Sequence, residues 1–233
     1  MEKLSDNTQT SFEDIRRNYL GICENIARSG RDVRLMAVTK TVSPERINYA
    51  IDLGVSLLGE NRVQEYLEKR ESYKPAEVHF IGGLQTNKVK YIIDKVSMIH
   101  SVDSMRLAEE IDRRAAQHGI IMDILAEINI GGEETKGGIT ADSAGRFCSD
   151  VNEFPNVRLR GLMTIPPPNC SESVFADMQE LFERLKVENS HNRENAAFDT
   201  LSMGMSGDYE AAIKYGATIV RIGSGLFGYR KYL

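Results

Sequence analysis

A lysine at the end of the first predicted strand occupies the position that most favours chemistry. Lys40 closes the run Leu35-Met36-Ala37-Val38-Thr39-Lys40. Burial disfavours the charged ammonium form of a lysine, and a neutral amine can attack a carbonyl to form a Schiff base. The alternative is an ordinary lysine that reaches solvent where the strand ends, and this position taken alone favours it. A reactive role for Lys40 therefore depends on support from other parts of the sequence.

An arginine in the middle of the last predicted strand is the second candidate. Arg221 lies between Val220 and Ile222, and strand alternation places its side chain on the opposite face from both. Two interpretations remain open. Arg221 either pairs with a carboxylate in the core, as buried charges usually must, or it is a permanent donor aimed at a ligand.

Two glycine-rich segments near the end of the chain are suited to an anion. They are Gly204-Met205-Ser206-Gly207 and Gly223-Ser224-Gly225. Each brings small residues and a hydroxyl to the start of a predicted helical turn, where free N–H groups and the helix dipole attract negative charge. Glycines also serve as plain turn residues, but the two segments together favour a phosphorylated ligand.

These candidates suggest pyridoxal 5′-phosphate as the ligand. Its aldehyde would react with Lys40, its phosphate would lie against the two glycine-rich segments, and its pyridine nitrogen would face Arg221. Arginine can only donate, so it would keep that nitrogen unprotonated. A cofactor held in this way is a poorer electron sink than one paired with a carboxylate.

Eight short apolar segments are predicted to be the strands that position these residues. The predicted strands are Arg34–Thr39, Val55–Gly59, Val78–Gly82, Met98–Val102, Ile124–Ile130, Leu159–Ile165, Thr200–Met203 and Ile219–Ile222. Helical patterns follow them at Pro44–Leu53, Asn61–Arg70, Lys88–Lys95, Ser104–His118, Ala141–Glu153, Ser171–Glu188 and Tyr209–Tyr215.

This alternation predicts a single (β/α)₈ TIM barrel, an α/β fold in which the active site lies at the carboxyl ends of the strands. An extra amphipathic helix from Phe12 to Ile26 precedes it, with Gly30 as its stop signal. The loops after strands seven and eight are the recurrent phosphate site of such barrels. We expect a polar tail at residues 1–10 and one barrel domain at residues 11–233.

Composition excludes several functional classes. The chain has 233 residues, 41% of them hydrophobic, and a net charge of −5, so nothing indicates a nucleic-acid surface. Cys23, Cys148 and Cys170 form no paired pattern, which suggests a reducing compartment. The first ten residues are polar, and no apolar run approaches membrane-spanning length. A cytoplasmic protein without a membrane association is expected.

The motifs as a set resemble those of the pyridoxal phosphate homeostasis proteins, the YggS/PROSC family. They run in family order from about residue 12 to the end of the chain. The segments that carry the resemblance are Ala37-Val38-Thr39-Lys40, Gly59-Glu60-Asn61-x-x-Gln64-Glu65, His79-Phe80-Ile81-Gly82-x-Leu84-Gln85-x-Asn87-Lys88, Arg160-Gly161-Leu162-Met163, Leu201-Ser202-Met203-Gly204-Met205-Ser206 and Val220-Arg221-Ile222-Gly223-Ser224.

The resemblance implies a barrel like the N-terminal domain of alanine racemase, with pyridoxal phosphate linked covalently to Lys40. It also implies phosphate contacts from Ser206, Gly223 and Ser224 and a pyridine-nitrogen contact from Arg221. Ser224 stands where many members have threonine, and Gly207 replaces a more usual acidic residue. The complete set of expected cofactor-binding residues is Lys40, Asn61, Met205, Ser206, Arg221, Gly223 and Ser224.

Several neighbouring residues have two interpretations. Asn61 either lies beside the cofactor ring or caps the following helix. His79 is either a core histidine or a cofactor contact. Lys136 resembles a basic position near the cofactor's phenolic oxygen in alanine racemases, or it is a solvated loop lysine. Glu133 and Glu134 are expected in solvent.

Three functions are compatible with this site. The first is a non-catalytic carrier that keeps pyridoxal phosphate masked and supports vitamin B6 and amino-acid balance, with cofactor-free enzymes as possible recipients. The second is a racemase-like enzyme, which would need a second acid/base opposite Lys40, for which Tyr229 and Tyr232 in the short C-terminal tail are poor scaffolds. The third is a cofactor-free Schiff-base aldolase. We expect an open barrel mouth, a monomer, no catalytic residue and no metal ligand.

Overall fold

Eight parallel strands form a closed barrel in the computed structural model, which describes residues 10–133, 137–167, 172–189 and 197–228. The first strand, β1, pairs with β2 on one side and with β8 on the other, and β4 pairs with β5 to close the ring. The predicted (β/α)₈ barrel is therefore confirmed. The strands are β1 Arg34–Val38, β2 Leu57–Glu60, β3 Glu77–Phe80, β4 Met98–Val102, β5 Met122–Asn129, β6 Val157–Met163, β7 Thr200–Ser202 and β8 Ile219–Ile222.

The helices surround this ring, and α1 precedes it as predicted. Ser11 caps α1 in a reciprocal capping box with Asp14, and Gly30 follows its end with φ of 67°. The helices are α1 Phe12–Arg28, α2 Pro44–Leu53, α3 Val63–Lys69, α4 Val89–Ile92, α5 Met105–His118, α6 Ala141–Val151, α7 Ser173–Asn189, α8 Tyr209–Lys214 and α9 Ser224–Phe227.

Some short elements differ from the prediction. The predicted helix over residues 88–95 is a 3₁₀ turn, Thr86–Lys88, followed by the single-turn helix α4. A two-residue strand, Ile139–Thr140, pairs with the end of β5, and the four-residue helix α9 follows β8. Such elements are too short to leave a periodic pattern of apolar residues, so the sequence gives no signal for them.

The core has two layers because successive strand residues face opposite sides of the sheet. Outward-facing residues such as Ala37, Leu58 and Phe80 pack beneath the helices in one large apolar cluster. The inside of the barrel contains two smaller apolar clusters. One consists of Met36, Val38, Leu57, Ile81 and Ile219, and the other of Met98, Leu125 and Met163.

Three further expectations concern the whole chain. Cys23 and Cys148 are free thiols, and Cys170 lies outside the described residues. Residues 1–9 of the expected tail also lie outside them, and the assignment of residues 11–233 to one domain stays a prediction. Across the described ranges, no helix is both long and apolar enough to cross a membrane.

Candidate functional site

A cavity of about 490 Å³ opens at the carboxyl ends of the strands. All seven residues expected to bind a cofactor line it, although they come from four separate stretches of the chain. This volume is within the usual range for small-molecule sites, about 300–1,000 Å³. The lining residues are Lys40, Asn61, Met205, Ser206, Arg221, Gly223 and Ser224, together with Val38, Ile81, Ile165 and Gly207.

Lys40 carries the only side-chain amine among the described residues that line the cavity. It follows β1 directly and is half-buried beside the apolar side chains of Val38 and Ile81. No carboxylate of the described ranges forms an ion pair with Lys40. The amine is therefore available to a ligand that enters the cavity.

The backbone on both sides of Lys40 is held from helix α3. Thr41 has φ of 58°, in the left-handed region, and its N–H donates to the carboxylate of Glu65. Glu65 also pairs with Lys69, whose Nζ donates to the carbonyl oxygen of Thr39 at 3.2 Å. One ion pair thus contacts both peptide neighbours of the lysine.

A buried carboxyl group lies behind the same segment. Glu60 Oε1 accepts hydrogen bonds from the Thr39 hydroxyl at 2.6 Å and the Tyr73 hydroxyl at 2.6 Å. Burial raises the pKa of Glu60, and its Oε2 has no hydrogen-bond partner within the described residues. The sequence predicted no role for Glu60, although a charged residue directly after an apolar strand is a signal of one.

Ser206 joins the two glycine-rich loops. Its Oγ accepts hydrogen bonds from the N–H of Gly225 at 2.9 Å and of Gly223 at 3.3 Å. The Met205 N–H donates to Asp208 Oδ1 at 2.5 Å, which stabilises the first loop. The N–H groups of Gly223 and Gly225 thus both contact the Ser206 hydroxyl, whose own hydrogen remains able to donate.

Arg221 is buried and faces the inside of the barrel, as alternation predicts. Its Nη1 donates to Ser202 Oγ at 2.8 Å and its Nη2 to the Thr164 carbonyl at 2.7 Å. Burial lowers the pKa of Arg221 to about 10, so it remains charged at neutral pH. No described carboxylate lies within ion-pair distance, so the arrangement differs from the core ion pair considered as the alternative.

Asn61 lines the cavity, whereas His79 lies in the core of the barrel. Helix α3 has Arg62 as its N-cap, so of the two interpretations the one in which Asn61 caps this helix is wrong. Asn61 instead lines the cavity, and its buried Oδ1 has no hydrogen-bond partner among the described residues. His79 is a fully buried core histidine bonded to Glu77 and His100, and it is absent from the described cavity lining.

The loop after β5 is only partly described. Lys136 and Glu134 lie outside the described residues, as do Tyr229 and Tyr232. Glu133 was expected in solvent, but it is partly buried because its backbone N–H donates to the Asn129 side chain, which holds the loop close to β5.

Comparison with known proteins gives consistent similarities over nearly the whole chain. The model of the alanine racemase N-terminal domain family matches residues 11–231. A pyridoxal phosphate homeostasis protein of Aquifex aeolicus is 47% identical over 216 residues, which cover 90% of this chain and 92% of that protein. The chain belongs to the pyridoxal phosphate homeostasis (YggS/PROSC) family.

Solved structures agree with membership of the pyridoxal phosphate homeostasis family. A Bifidobacterium adolescentis protein of unknown function superposes with a TM-score of 0.86 at 34% identity, covering 97% of this chain and 98% of its own. PipY of Synechococcus elongatus PCC7942 with PLP (pyridoxal phosphate) bound gives 0.80 at 29% identity, covering 92% and 100%.

Proposed function

We propose that this protein binds pyridoxal phosphate as a Schiff base on Lys40 and takes part in intracellular vitamin B6 and amino-acid homeostasis. One observation carries the proposal. Lys40, Ser206 and Arg221 lie on three different loops or strands, yet all three line a single cavity at the barrel mouth. A Schiff-base amine, a phosphate-binding hydroxyl and a ring-nitrogen donor are the three contacts that this cofactor needs.

The residues present fit the parts of the cofactor. Ser206, Ser224 and the backbone of Gly223 would hold the phosphate through hydroxyl and N–H donors. The unpartnered Oδ1 of Asn61 and the side chain of Met205 would lie against the ring or its substituents. Val38, Ile81 and Ile165 supply apolar wall for the ring faces.

Arg221 would limit the chemistry of the bound cofactor. Pyridoxal phosphate supplies an aldehyde for amines and, when its ring nitrogen is protonated, a strong electron sink. Arg221 has only N–H donors and holds its charge at neutral pH, so it would favour the unprotonated nitrogen. This supports a protein that holds the cofactor rather than one that stabilises carbanions.

We therefore propose a non-catalytic carrier. The curated relative from Aquifex aeolicus is named a homeostasis protein, which supports this role. The free thiols Cys23 and Cys148 support the cytoplasm as its compartment. The proposal includes a monomer that hands the cofactor to apo enzymes dependent on it.

A racemase-like enzyme is the second candidate, because the matching family model describes an alanine racemase domain. One observation favours it further. Burial raises the pKa of Glu127 to about 7, and this carboxyl interacts electrostatically with Arg221. A group with that pKa is suited to proton transfer near neutral pH.

Three measurements separate these functions. Titration of the purified protein with pyridoxal phosphate should give a new absorbance band that borohydride bleaches, and a missing band would leave only a cofactor-free function such as an aldolase. Exchange of the α-proton of alanine in heavy water would identify a racemase. Faster loading of an apo enzyme by the holoprotein than by free cofactor would support the carrier, whereas no loading would contradict it.

A further inference from the structure

A continuous hydrogen-bond relay runs inside the barrel from Glu77 to Arg221. Its members in between are His79, His100 and Ser202. Glu77 Oε1 lies 2.7 Å from His79 Nε2, and His79 Nδ1 lies 2.9 Å from His100 Nε2. His100 Nδ1 lies 3.1 Å from Ser202 Oγ, which accepts from Arg221 Nη1 at 2.8 Å. The relay begins at Glu77, the first residue of β3, on the lower face of the barrel where the strands start. It ends at the cavity, on the upper face where the strands end.

With both histidine rings neutral, the two ends of this relay determine the direction of every hydrogen bond in it. Arg221 must donate, so the Ser202 hydroxyl hydrogen is left for His100 Nδ1. His100 then carries its proton on Nε2 and donates to His79 Nδ1. His79 carries its own proton on Nε2 and donates to Glu77, which has acceptors and no donor when it is ionised.

The surroundings of the relay favour a neutral His100 and an ionised Glu77. Burial lowers the pKa of His100 well below its usual value, and the electrostatic effects of Arg221 and Arg34 also lower it. The hydrogen bond from His79, with help from Arg34, lowers the pKa of Glu77 to about 2. Burial therefore favours a neutral His100, with the cation Arg221 at one end of the relay and the anion Glu77 at the other.

Apolar packing would have filled the same space at no hydrogen-bonding cost. Met98 lies two residues before His100 on the same inner face, and it packs against Leu125 and Met163. Buried polar side chains are costly unless each is bonded. His79, His100 and Ser202 each have a hydrogen-bond partner on both sides, and the relay that they form ends at Arg221, which lines the cavity.

We propose that Glu77, His79, His100 and Ser202 are positioning residues that fix the orientation of Arg221 at the cofactor's ring nitrogen. This inference rests on the proposed function of the cavity. Its consequence is that a change on the lower face of the barrel, at Glu77, alters the site at the upper face without touching the ligand.

The first test uses the ligand-free protein. Long-range ¹H–¹⁵N spectra of the histidine rings should show neutral Nε2–H tautomers for both His79 and His100 between about pH 6 and pH 8, the range in which histidines usually change charge. The exposed His118 provides a reference signal from the same sample. An Nδ1–H tautomer or an imidazolium at either buried position would overturn the relay.

The second test removes Glu77, the end of the relay that lies farthest from the cavity. Glu77→Leu should shift the ring signals of His100, which Glu77 does not contact, and should change the absorbance spectrum of bound pyridoxal phosphate. Arg34→Gln is the matched control, because it removes the ion pair on Glu77 Oε2 but leaves Oε1 for His79. Unchanged His100 signals and an unchanged spectrum in a folded Glu77→Leu protein would sink the inference.

A third variant pair gives the answer if Glu77→Leu does not fold. Ser202→Ala removes the link between His100 and Arg221 and should weaken binding roughly two- to tenfold, the effect of one lost hydrogen bond. Ser202→Thr keeps the hydroxyl and should keep the wild-type spectrum. Equal spectra and affinities for Ser202→Ala and wild type would refute the positioning role.

Failure of the proposed function has a different signature. If the wild-type protein binds no pyridoxal phosphate, the cofactor role of Arg221 is wrong, while the tautomers in the ligand-free protein still decide whether the relay exists. If wild type binds the cofactor and all relay variants bind it identically, the positioning inference is wrong and the proposed function stands.

Discussion

The carboxylate of Glu65 accepts a hydrogen bond from the backbone N–H of Thr41, the residue that follows Lys40. Thr41 is β-branched and has φ of 58°, a conformation that costs such a residue roughly 1–3 kcal/mol and persists only when its surroundings hold it. Lys69 pairs with the same carboxylate and donates to the Thr39 carbonyl. Helix α3 therefore determines where Lys40 emerges from β1.

We expect Glu65→Ala to loosen this segment and slow the reaction of Lys40 with pyridoxal phosphate. The free energy of unfolding should fall by about 1.5–3 kcal/mol, the range for a hydrogen bond to a charged group. Stopped-flow absorbance and urea denaturation measure the two effects. Glu68→Ala is the control, because Glu68 lies exposed on the same helix and bonds only to Gln64 in the described structure. Wild-type reaction rates in Glu65→Ala would contradict this prediction.

Lys40→Ala should abolish the covalent adduct and leave the fold intact, because Lys40 lies at the cavity mouth and not in a packed layer. Mass spectrometry after borohydride reduction should place the adduct on Lys40 in the wild-type protein. Lys90→Ala, at an exposed lysine, should retain the adduct. An adduct found mainly on another lysine would show that the assignment is wrong.

Ser206→Ala should weaken pyridoxal phosphate binding by about tenfold or more. A hydrogen bond to a charged group contributes roughly 1.5–3 kcal/mol, and each 1.4 kcal/mol corresponds to a factor of ten in affinity. The Gly225 and Gly223 N–H groups would also lose their present acceptor, which partly offsets the loss by freeing them for phosphate. Titration against Ser43→Ala, an exposed serine with no capping hydrogen bond, measures the difference. Equal affinities would remove Ser206 from the site.

The sequence predicted the parts of the site that depend on local pattern. Alternation in β8 placed Arg221 on the inner face, and the fold then brought Lys40 and Ser206 to the same mouth because all strands of a parallel barrel end there. The predicted start of the third helix at Asn61 was wrong, since the helix begins two residues later and Arg62 takes the cap position.

The supporting contacts could not be predicted because they join residues far apart in sequence. His100 and Ser202 are 102 residues apart, and no local pattern indicates that their side chains meet inside the barrel. The contacts of Glu65 with Thr41 and of Glu60 with Tyr73 likewise depend on how α3 and the segment after it pack beside β1. Such contacts follow from tertiary packing rather than from hydrophobic periodicity.

Protein stability should depend on His100 below about pH 6.5. Its pKa is lower in the folded protein than in the unfolded chain, so the unfolded state binds more protons between these two values. The free energy of unfolding must then fall as pH decreases through this range, by up to about 1.4 kcal/mol per pH unit for one group. This contribution is complete above the unfolded pKa.

Urea denaturation of wild type and His100→Phe between about pH 7 and pH 5 tests this dependence, because contributions from other groups are common to both proteins. His118→Gln, at an exposed position, should keep the wild-type slope. Glu77 should add a second loss in wild type as pH falls from about 4.5 towards its folded pKa of about 2. Parallel curves for wild type and His100→Phe would exclude a neutral, buried His100.

Arg221→Glu tests the ring-nitrogen contact and the core together. The carboxylate would face the Thr164 carbonyl and Ser202 without the two donors that Arg221 supplies, so the melting temperature of the cofactor-free protein should fall. If the protein folds, the new carboxylate can favour a protonated ring nitrogen, and the absorbance spectrum of the bound cofactor should change.

Arg221→Lys is the matched control for this change, since it keeps the positive charge but loses the two-pronged geometry. We expect a smaller fall in melting temperature and a spectrum nearer to that of wild type. The spectrum is the deciding measurement, because lost stability alone would follow from either role of Arg221. A folded Arg221→Glu protein that binds pyridoxal phosphate with an unaltered spectrum would show that Arg221 stabilises the barrel and does not contact the cofactor ring.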